Sequence, residues 1–525
     1  MKRFLARSAV ACAAIGLTSS IASAAGIEVI YSEITGHPTS QIPGALDASG
    51  MPIAIEFKAI EDMNFKADGS QWILRGRANS LDTIDTCLLL GAGTTGNMLA
   101  QEAQPVAGGT APEVYDFFDG VAGFNDAGDF AFGARARNGV FAVKEKVIRF
   151  TAANGFQVVA TESAPLLGAI DAPVGASGDE LLGNSLNGIH LLNDNRVGFV
   201  DLSTTNISTL RRPILVYHNA GVNQTFLQSG VTAVGGNVWD SFPSDGFRTT
   251  PDGAHYIALG DDEGPTTTDQ ILVVDGNVVL REGSVIPSTS ITVTSIFAFD
   301  LLASGDWFSR GSTPTGSDWA VRNGALLAAT GAPITSGGAI ANWGDTFLGC
   351  TGNRVGDTIV CGNTDLADPG RDTVVVFNGS DIVVREGDPI DLNEDGIFDD
   401  GVFIGRGNNT LAAFAPNDFF LTDDRILYFI APLNDGKGND LGTFGAGGEA
   451  FLRLDLNPIV GLLGDMNCDG IVSVGDIAGF VLALTDPAGY AATFPDCDIN
   501  NADVNGDAVV SVGDIAGFVA LLVGR

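Results

Sequence analysis

Aspartate, asparagine and serine recur near the end of the chain at the spacing of a calcium loop. The first run reads Asp465-x-Asn467-x-Asp469-Gly470-Ile471-x-Ser473-x-x-Asp476, and the second Asp503-x-Asn505-x-Asp507-Ala508-Val509-x-Ser511-x-x-Asp514. Calcium takes six to eight hard oxygens, and a twelve-residue loop supplies them from positions 1, 3, 5, 7, 9 and 12, the seventh through its main-chain carbonyl. Asp465, Asn467, Asp469, Ile471, Ser473 and Asp476 are therefore candidate ligands of one ion, and Asp503, Asn505, Asp507, Val509, Ser511 and Asp514 of a second. A further acidic run, Asp391-x-Asn393-x-Asp395-Gly396-Ile397-x-Asp399-Asp400, copies the first seven positions. Its twelfth residue is Val402, so a third calcium there would use Asp391, Asn393, Asp395 and Ile397 and finish with Asp399, Asp400 or water.

Catalytic patterns are absent. The four histidines, His37, His190, His218 and His255, fall in no metal-binding His-Glu-x-x-His, and the chain has neither a Gly-x-Ser-x-Gly elbow nor a phosphate-cradling loop. Each histidine is expected to be a surface or strand residue. Glu33, Glu102, Glu162, Glu282 and Glu386 recur in phase, and recurrence favours a structural role, because glycoside hydrolysis needs one particular pair of carboxyls. Their expected partners are Arg281, Arg385 or strand-end backbone. No residue is assigned to catalysis.

The two C-terminal calcium patterns are halves of a duplication. Val472–Val481 and Val510–Val519 are identical over ten residues, 38 positions apart. After each loop, apolar residues at helical spacing (Ile477, Phe480, Val481, Leu484 and Ile515, Phe518, Val519, Leu522) predict an amphipathic helix. Gly479 and Gly517 inside those helices suggest close helix–helix approach. Residues 464–525 resemble a type I dockerin, the calcium-dependent module that binds cohesin domains. The aspartates at position 12 match that family. Ala508 replaces the turn glycine of the second loop, and Val474-Gly475 and Val512-Gly513 stand where dockerins commonly show hydroxyl residues. The resemblance implies two Ca²⁺ and a cohesin-like or surface protein as partner. Dockerins are commonly fused to polysaccharide-degrading domains, so it also implies an alternative: a glycoside hydrolase acting on polysaccharide.

Residues 25–460 carry a degenerate repeat. A turn before an apolar strand recurs near 68, 127, 194, 252, 305, 354 and 424, at intervals of 49 to 70 residues. A second marker alternates with it: Ser32-Glu33, Gln101-Glu102, Thr161-Glu162, Gln228-Ser229, Arg281-Glu282-Gly283, Thr330-Gly331 and Arg385-Glu386-Gly387. The first copy of the second marker precedes the first turn, and the last turn has no partner after it. This offset predicts a mainly β chain folded as a seven-bladed β-propeller, with the N-terminal strand completing the last blade, followed by a small all-α domain at 464–525. The array resembles secreted bacterial repeat proteins built on Asn-Asp-x-Gly-x-x-Ala-Phe and Arg-Glu-Gly-Asp motifs, which implies a shared architecture and no activity. A polysaccharide is one candidate ligand of this array.

Charge and the chain's beginning place the protein. With 27 basic and 63 acidic residues, the net charge of −36 opposes binding to a phosphate backbone. Lys2, Arg3 and Arg7, a short apolar run and Ala22-Ser23-Ala24 make residues 1–24 a predicted signal peptide, and no later run is long enough to span a bilayer. The expected location is outside the cell or at its surface, with the periplasm open. In such an oxidising setting Cys350 with Cys361 and Cys468 with Cys497 are the sequence-local disulfide candidates, and Cys87 is expected as a buried free thiol.

Overall fold

A computed structural model describes residues 26–80, 84–119, 122–139, 142–171, 178–334, 341–393, 398–406, 413–442, 449–457, 463–468, 472–494, 497–505 and 509–523. The predicted signal peptide lies outside them. The chain divides into two compact units, one over 24–457 and one from Pro458 onward.

Seven sheets follow one another in the first unit, antiparallel apart from the short parallel pairing of Leu166–Leu167 with Val222–Gln228 in the third. The first is a plain meander of Phe57–Phe65, Trp72–Ala78, Thr86–Ala92 and Thr95–Gln101. The others repeat this four-strand path, with the innermost strand broken in two in the second, fourth and seventh. These strands are rich in β-branched and aromatic residues, and the central ones, such as Thr373–Phe377, are buried throughout. Such continuous burial is what a sheet covered on both faces requires.

Packing closes the sheets into a ring. Each hydrophobic cluster joins neighbouring sheets: Ile73 and Leu88 of the first meet Phe118 and Phe132 of the second. Val200 and Leu215 of the third meet Trp239 and Phe247 of the fourth. The circuit ends where Tyr428, Ile430 and Phe451 of the seventh sheet meet Phe57, Ile60 and Trp72 of the first. The outermost strand of that seventh sheet is Ile27–Ser32, paired with Glu449–Asp455. The unit is a seven-bladed β-propeller whose N-terminal strand completes the last blade.

The turn marker is the link between the first and second strands of every blade. Each such turn has one residue in the left-handed region: Gly69, Gly128, Asn195, Gly253, Gly305, Gly356 and Arg425, with φ between 60° and 105°. Glycine adopts that conformation without steric penalty, which is why the strong copies read Asp-Gly. The turns also interlock around the ring. Asp126 N donates to Asn193 Oδ1 at 2.9 Å, Asn193 N donates to the Pro251 carbonyl at 2.7 Å, and Arg354 pairs with Asp423 at 2.6 Å.

The second unit holds three short helices, α1 (Asp476–Thr485), α2 (Pro487–Thr493) and α3 (Ile515–Val523). Phe480 and Phe518, equivalent residues of the duplication, stack face to face with ring centroids 4.0 Å apart. The buried stripe is narrower than the periodicity predicts. Phe480, Ala483 and Phe518 are covered, whereas Ile477, Val481, Ile515 and Val519 are 44 to 51% exposed. Helices of two to three turns bury a single seam here, and the rest of the apolar arc faces outward. Gly479 and Gly517 also serve differently from expectation. A Cβ on Gly479 would lie 2.7 Å from the Met466 carbonyl oxygen, and one on Gly517 would lie 3.1 Å from Val504 Cγ1. The close approach is of each helix to its own loop.

Candidate calcium loops and the propeller channel

The closing aspartates organise the two C-terminal loops. Asp476 Oδ1 accepts from the N–H groups of Met466 at 2.7 Å and Asn467 at 3.0 Å, and its Oδ2 accepts from Ser473 N at 2.7 Å. Asp514 repeats this on Asn505 N at 3.1 Å and Ser511 N at 2.8 Å. Asp465, Asp476 and Asp514 have no exposed surface. Tyr490 supports the first loop by donating its hydroxyl to the Met466 carbonyl at 2.9 Å, and burial, then the charges of Asp465 and Asp476, push its phenol up to about 12. Asn501 Nδ2 donates to the Asp465 carbonyl at 3.0 Å. Cys468 and Cys497 form a disulfide tying the first loop to the segment before the second. Asp469, Ile471 and Asp507 lie outside the described residues, and Val509 is 59% exposed.

The donor set suits calcium. Every described candidate side chain (Asp465, Asn467, Ser473, Asp476, Asp503, Asn505, Ser511 and Asp514) offers hard oxygen. Residues 464–525 contain nine aspartates and a single basic side chain, Arg525. Buried carboxylates are costly without a compensating charge, and this segment supplies almost none of its own.

The acidic insertion in the seventh blade shares one detail with these loops. Asp400 Oδ2 accepts from the N–H groups of Leu392 at 2.7 Å and Asn393 at 3.1 Å, the second and third loop positions, as Asp476 does in the first loop. Its Oδ1 accepts from Asn393 Nδ2 at 2.9 Å. Of the sequence alternatives, Asp400 takes the closing position and Asp399 is exposed. Asp395 and Ile397 lie outside the described residues, while Asp391 is partly exposed.

The recurring glutamates belong to the architecture. Each stands just beyond an outermost strand and bonds backbone. Glu33 Oε1 accepts from Ile60 N at 2.9 Å, and Glu102 Oε2 accepts from Asp85 N at 3.1 Å. Gln228 does the same job with Ile170 N at 2.9 Å. Burial pushes the carboxyls of Glu102 and Glu386 up to about 7. The expected arginine partners go elsewhere: Arg281 pairs with Asp262 at 2.7 Å, and Arg385 donates to the Arg371 carbonyl at 2.6 Å.

One disulfide expectation is overturned. Cys350 and Cys361 are free thiols, as is the buried Cys87. The strands holding them are adjacent, but Cys350 stands opposite Val360 and Gly349 opposite Cys361. A one-residue offset puts the two side chains on opposite faces. Cys361 enters the core between the sixth and seventh blades and Cys350 packs toward the fifth.

The histidines are spread over separate elements. His37 caps a short 3₁₀ turn, His190 is buried beside Phe247, His218 bonds Asn223 at 2.9 Å, and His255 bonds Asp275 at 2.7 Å.

At the centre of the ring is a cavity of about 260 Å³, lined by the innermost strands of all seven blades. Its charged side chains are Arg248, Arg310, Arg354, Asp300 and Asp423. Arg354 and Asp423 pair with each other, and Asp300 Oδ2 accepts from Thr351 Oγ1 at 2.6 Å. Arg310 is 8% exposed and donates Nε to Asn417 Oδ1 at 3.1 Å and Nη1 to the Phe347 carbonyl at 2.7 Å. Arg354 and Asp423 belong to the recurring turns, but Arg248, Arg310 and Asp300 do not stand out in the sequence, because residues on different blades share no local pattern; only closure of the ring collects them.

No family model and no curated protein matches this chain. Among solved structures it is similar to the WD40 β-propeller domain of Doa1, at 10% identity and a TM-score of 0.32, over 82% of this chain and 97% of that one. It is also similar to the β-propeller domain of the Trilobed protease from Pyrococcus furiosus, at 10% identity and a TM-score of 0.33, over 64% of this chain and 98% of that one. A protein of unknown function from Dyadobacter fermentans matches at 10% identity and a TM-score of 0.31, over 82% of this chain and 99% of that one. The propeller assignment rests on sheet order and on the circuit of interface clusters.

Proposed function

We propose that this is an exported, non-catalytic binding and assembly protein, in which a propeller carries the ligand-binding role and the C-terminal unit is a calcium-held, dockerin-like docking module. The observation that carries the reading is a duplicated pairing of features. In each half, a fully buried closing aspartate organises a loop, and the helix after it leaves apolar side chains in the open. Val474, Ile477 and Val481 of the first half and Val512, Ile515 and Val519 of the second are 44 to 78% exposed at equivalent positions. Exposed apolar side chains that cluster, as opposed to scattered ones, mark interaction surfaces. Two sets in one duplication point to a partner face used in either half.

Calcium would be held by Asp465, Asn467, Ser473 and Asp476 in the first loop and by Asp503, Asn505, Ser511 and Asp514 in the second, together with Asp469, Ile471, Asp507 and Val509 from the sequence pattern. The ion supplies positive charge that offsets the converging carboxylates. The protein's own residues then fix the loop through backbone N–H donors and present the apolar face. The valines at positions 10 of both loops favour an apolar partner surface over one reading hydroxyls.

The test is binding of the full chain to a panel of cohesin domains and to a panel of immobilised polysaccharides, with calcium and with chelator, recording released sugar. Calcium-dependent cohesin binding, abolished by Ile477→Asp with Ile515→Asp, is expected. Sugar release would replace this reading with a glycoside hydrolase, and binding unaffected by chelator would remove calcium from it.

A further inference from the structure

Most arginines among the described residues are matched by an acid. Twelve arginines form ion pairs among the described residues. Two that line the central cavity do not. Arg310, 8% exposed, holds an amide oxygen and a backbone carbonyl, and among the described residues its Nη2 has no hydrogen bond. Arg248 makes only long contacts from Nη1, at 3.5 Å to the Asp245 carbonyl and 3.3 Å to that of Phe247. Both guanidinium groups lie over rings of the same innermost strand, Ser295–Leu301: Arg248 over Phe299 at 5.8 Å and Arg310 over Phe297 at 5.7 Å. The buried Asp318 carboxylate acts on Arg310 from a distance, but among the described residues neither cavity cation has a carboxylate within ion-pair reach, in a chain whose net charge of −36 leaves acids in excess.

We propose that the central cavity is a binding site for one small hydroxylated monocarboxylate, its carboxylate held by Arg248 and Arg310. This deepens the proposed binding role of the propeller and rests on it. Guanidinium groups offer fork-shaped donors that suit a carboxylate. The third charge in the cavity that is not internally paired is Asp300, whose carboxylate repels a multiply charged anion and accepts from a hydroxyl. Within the lining itself, two such cations and one anion favour a ligand with a single negative charge. Asn64, Asn417, Thr249 and Thr351 add polar lining for hydroxyl groups, and the stacked rings of Phe65 and Phe420, 4.2 Å apart, close one side. The volume of about 260 Å³ lies just below the usual span of small-molecule sites, about 300–1,000 Å³, which suits one small ligand.

The test is calorimetric titration of the full chain with D-glucuronate and D-gluconate, with D-glucose and inorganic phosphate as controls. At least one carboxylate should bind about tenfold or more tightly than glucose, and phosphate should bind no better than glucose. Arg248→Gln should weaken carboxylate binding about tenfold while leaving the melting temperature unchanged, since its protein contacts are weak. Arg310→Gln should weaken binding too; because Arg310 also holds Asn417 and the Phe347 carbonyl, Arg248→Gln decides if that variant misfolds. Absence of carboxylate binding, equal binding of glucose, tighter binding of phosphate, or full affinity in Arg248→Gln overturns the inference. A chain that docks to cohesin in calcium but binds neither carboxylate loses the channel inference alone. One that binds glucuronate through Arg248 without docking loses the docking reading alone.

Discussion

At the scale of single residues, buried acids decide how the protein answers to pH. Glu102 and Glu386 have carboxyls raised to about 7 in the folded chain, by burial first. A raised acid favours the neutral form in the fold, so its stabilising contribution is complete below the ordinary carboxyl range and is lost as pH rises from about 4.5 through about 7. The propeller's melting temperature should fall between pH 5 and pH 8, and Glu102→Gln with Glu386→Gln should flatten that fall. A slope unchanged in the double variant contradicts the assignment. The glutamates were visible in the sequence as a phase, and their structural role was readable from recurrence. Their partners were not, because strand-end backbone carries no sequence signature. Cysteine shows the same limit: Cys350 and Cys361 are close in sequence yet point to opposite faces of their strands. Alkylation of the denatured, unreduced mature chain should modify Cys87, Cys350 and Cys361 and spare Cys468 and Cys497; protection of Cys350 and Cys361 would contradict the strand register.

At the scale of elements, the turns, the closing strand and the two loop-following helices were legible, and which face of those helices is covered was not. Turns were legible because their left-handed position selects glycine or asparagine; the last three copies were weak, and the seventh has Arg425 at that position. The closing strand followed from the half-unit offset between the markers. Removing Ile27–Ser32 would expose the edge of Glu449–Asp455 and strip the cover from Trp72 and Phe451. A chain beginning at Glu33 should melt well below the intact chain, and an unchanged propeller transition would refute closure by this strand. Trp72→Ala tests the same seam; a fully buried aromatic lost from a core costs about 3–5 kcal/mol. In the C-terminal unit, helical periodicity marked the apolar arc but not which part of it is covered. The two glycines offer a graded test. Gly479→Ala places a Cβ 2.7 Å from a backbone oxygen of the first candidate loop, whereas Gly517→Ala meets Val504 Cγ1 at 3.1 Å, a side chain able to shift. Gly479→Ala should weaken calcium binding more than Gly517→Ala does, and the reverse order would contradict the loop–helix contact.

At the scale of the whole molecule, the protein is a seven-bladed ring and a small helical unit joined in one acidic chain. The propeller accounts for most of the apolar burial, and the helical unit concentrates aspartates where cationic side chains are almost absent. Sequence arithmetic found the excess of acid; the structure shows that Asp465, Asp476 and Asp514 bury part of it completely. The central claim is that calcium holds this unit together. Its most direct test is calcium titration of the chelated full chain by calorimetry, alongside the chain carrying Asp476→Ala and Asp514→Ala. The account predicts at least two bound ions and, with them, a rise in the melting temperature of the C-terminal unit that the double variant loses. Absence of calcium uptake, or uptake unchanged in the double variant, would contradict it.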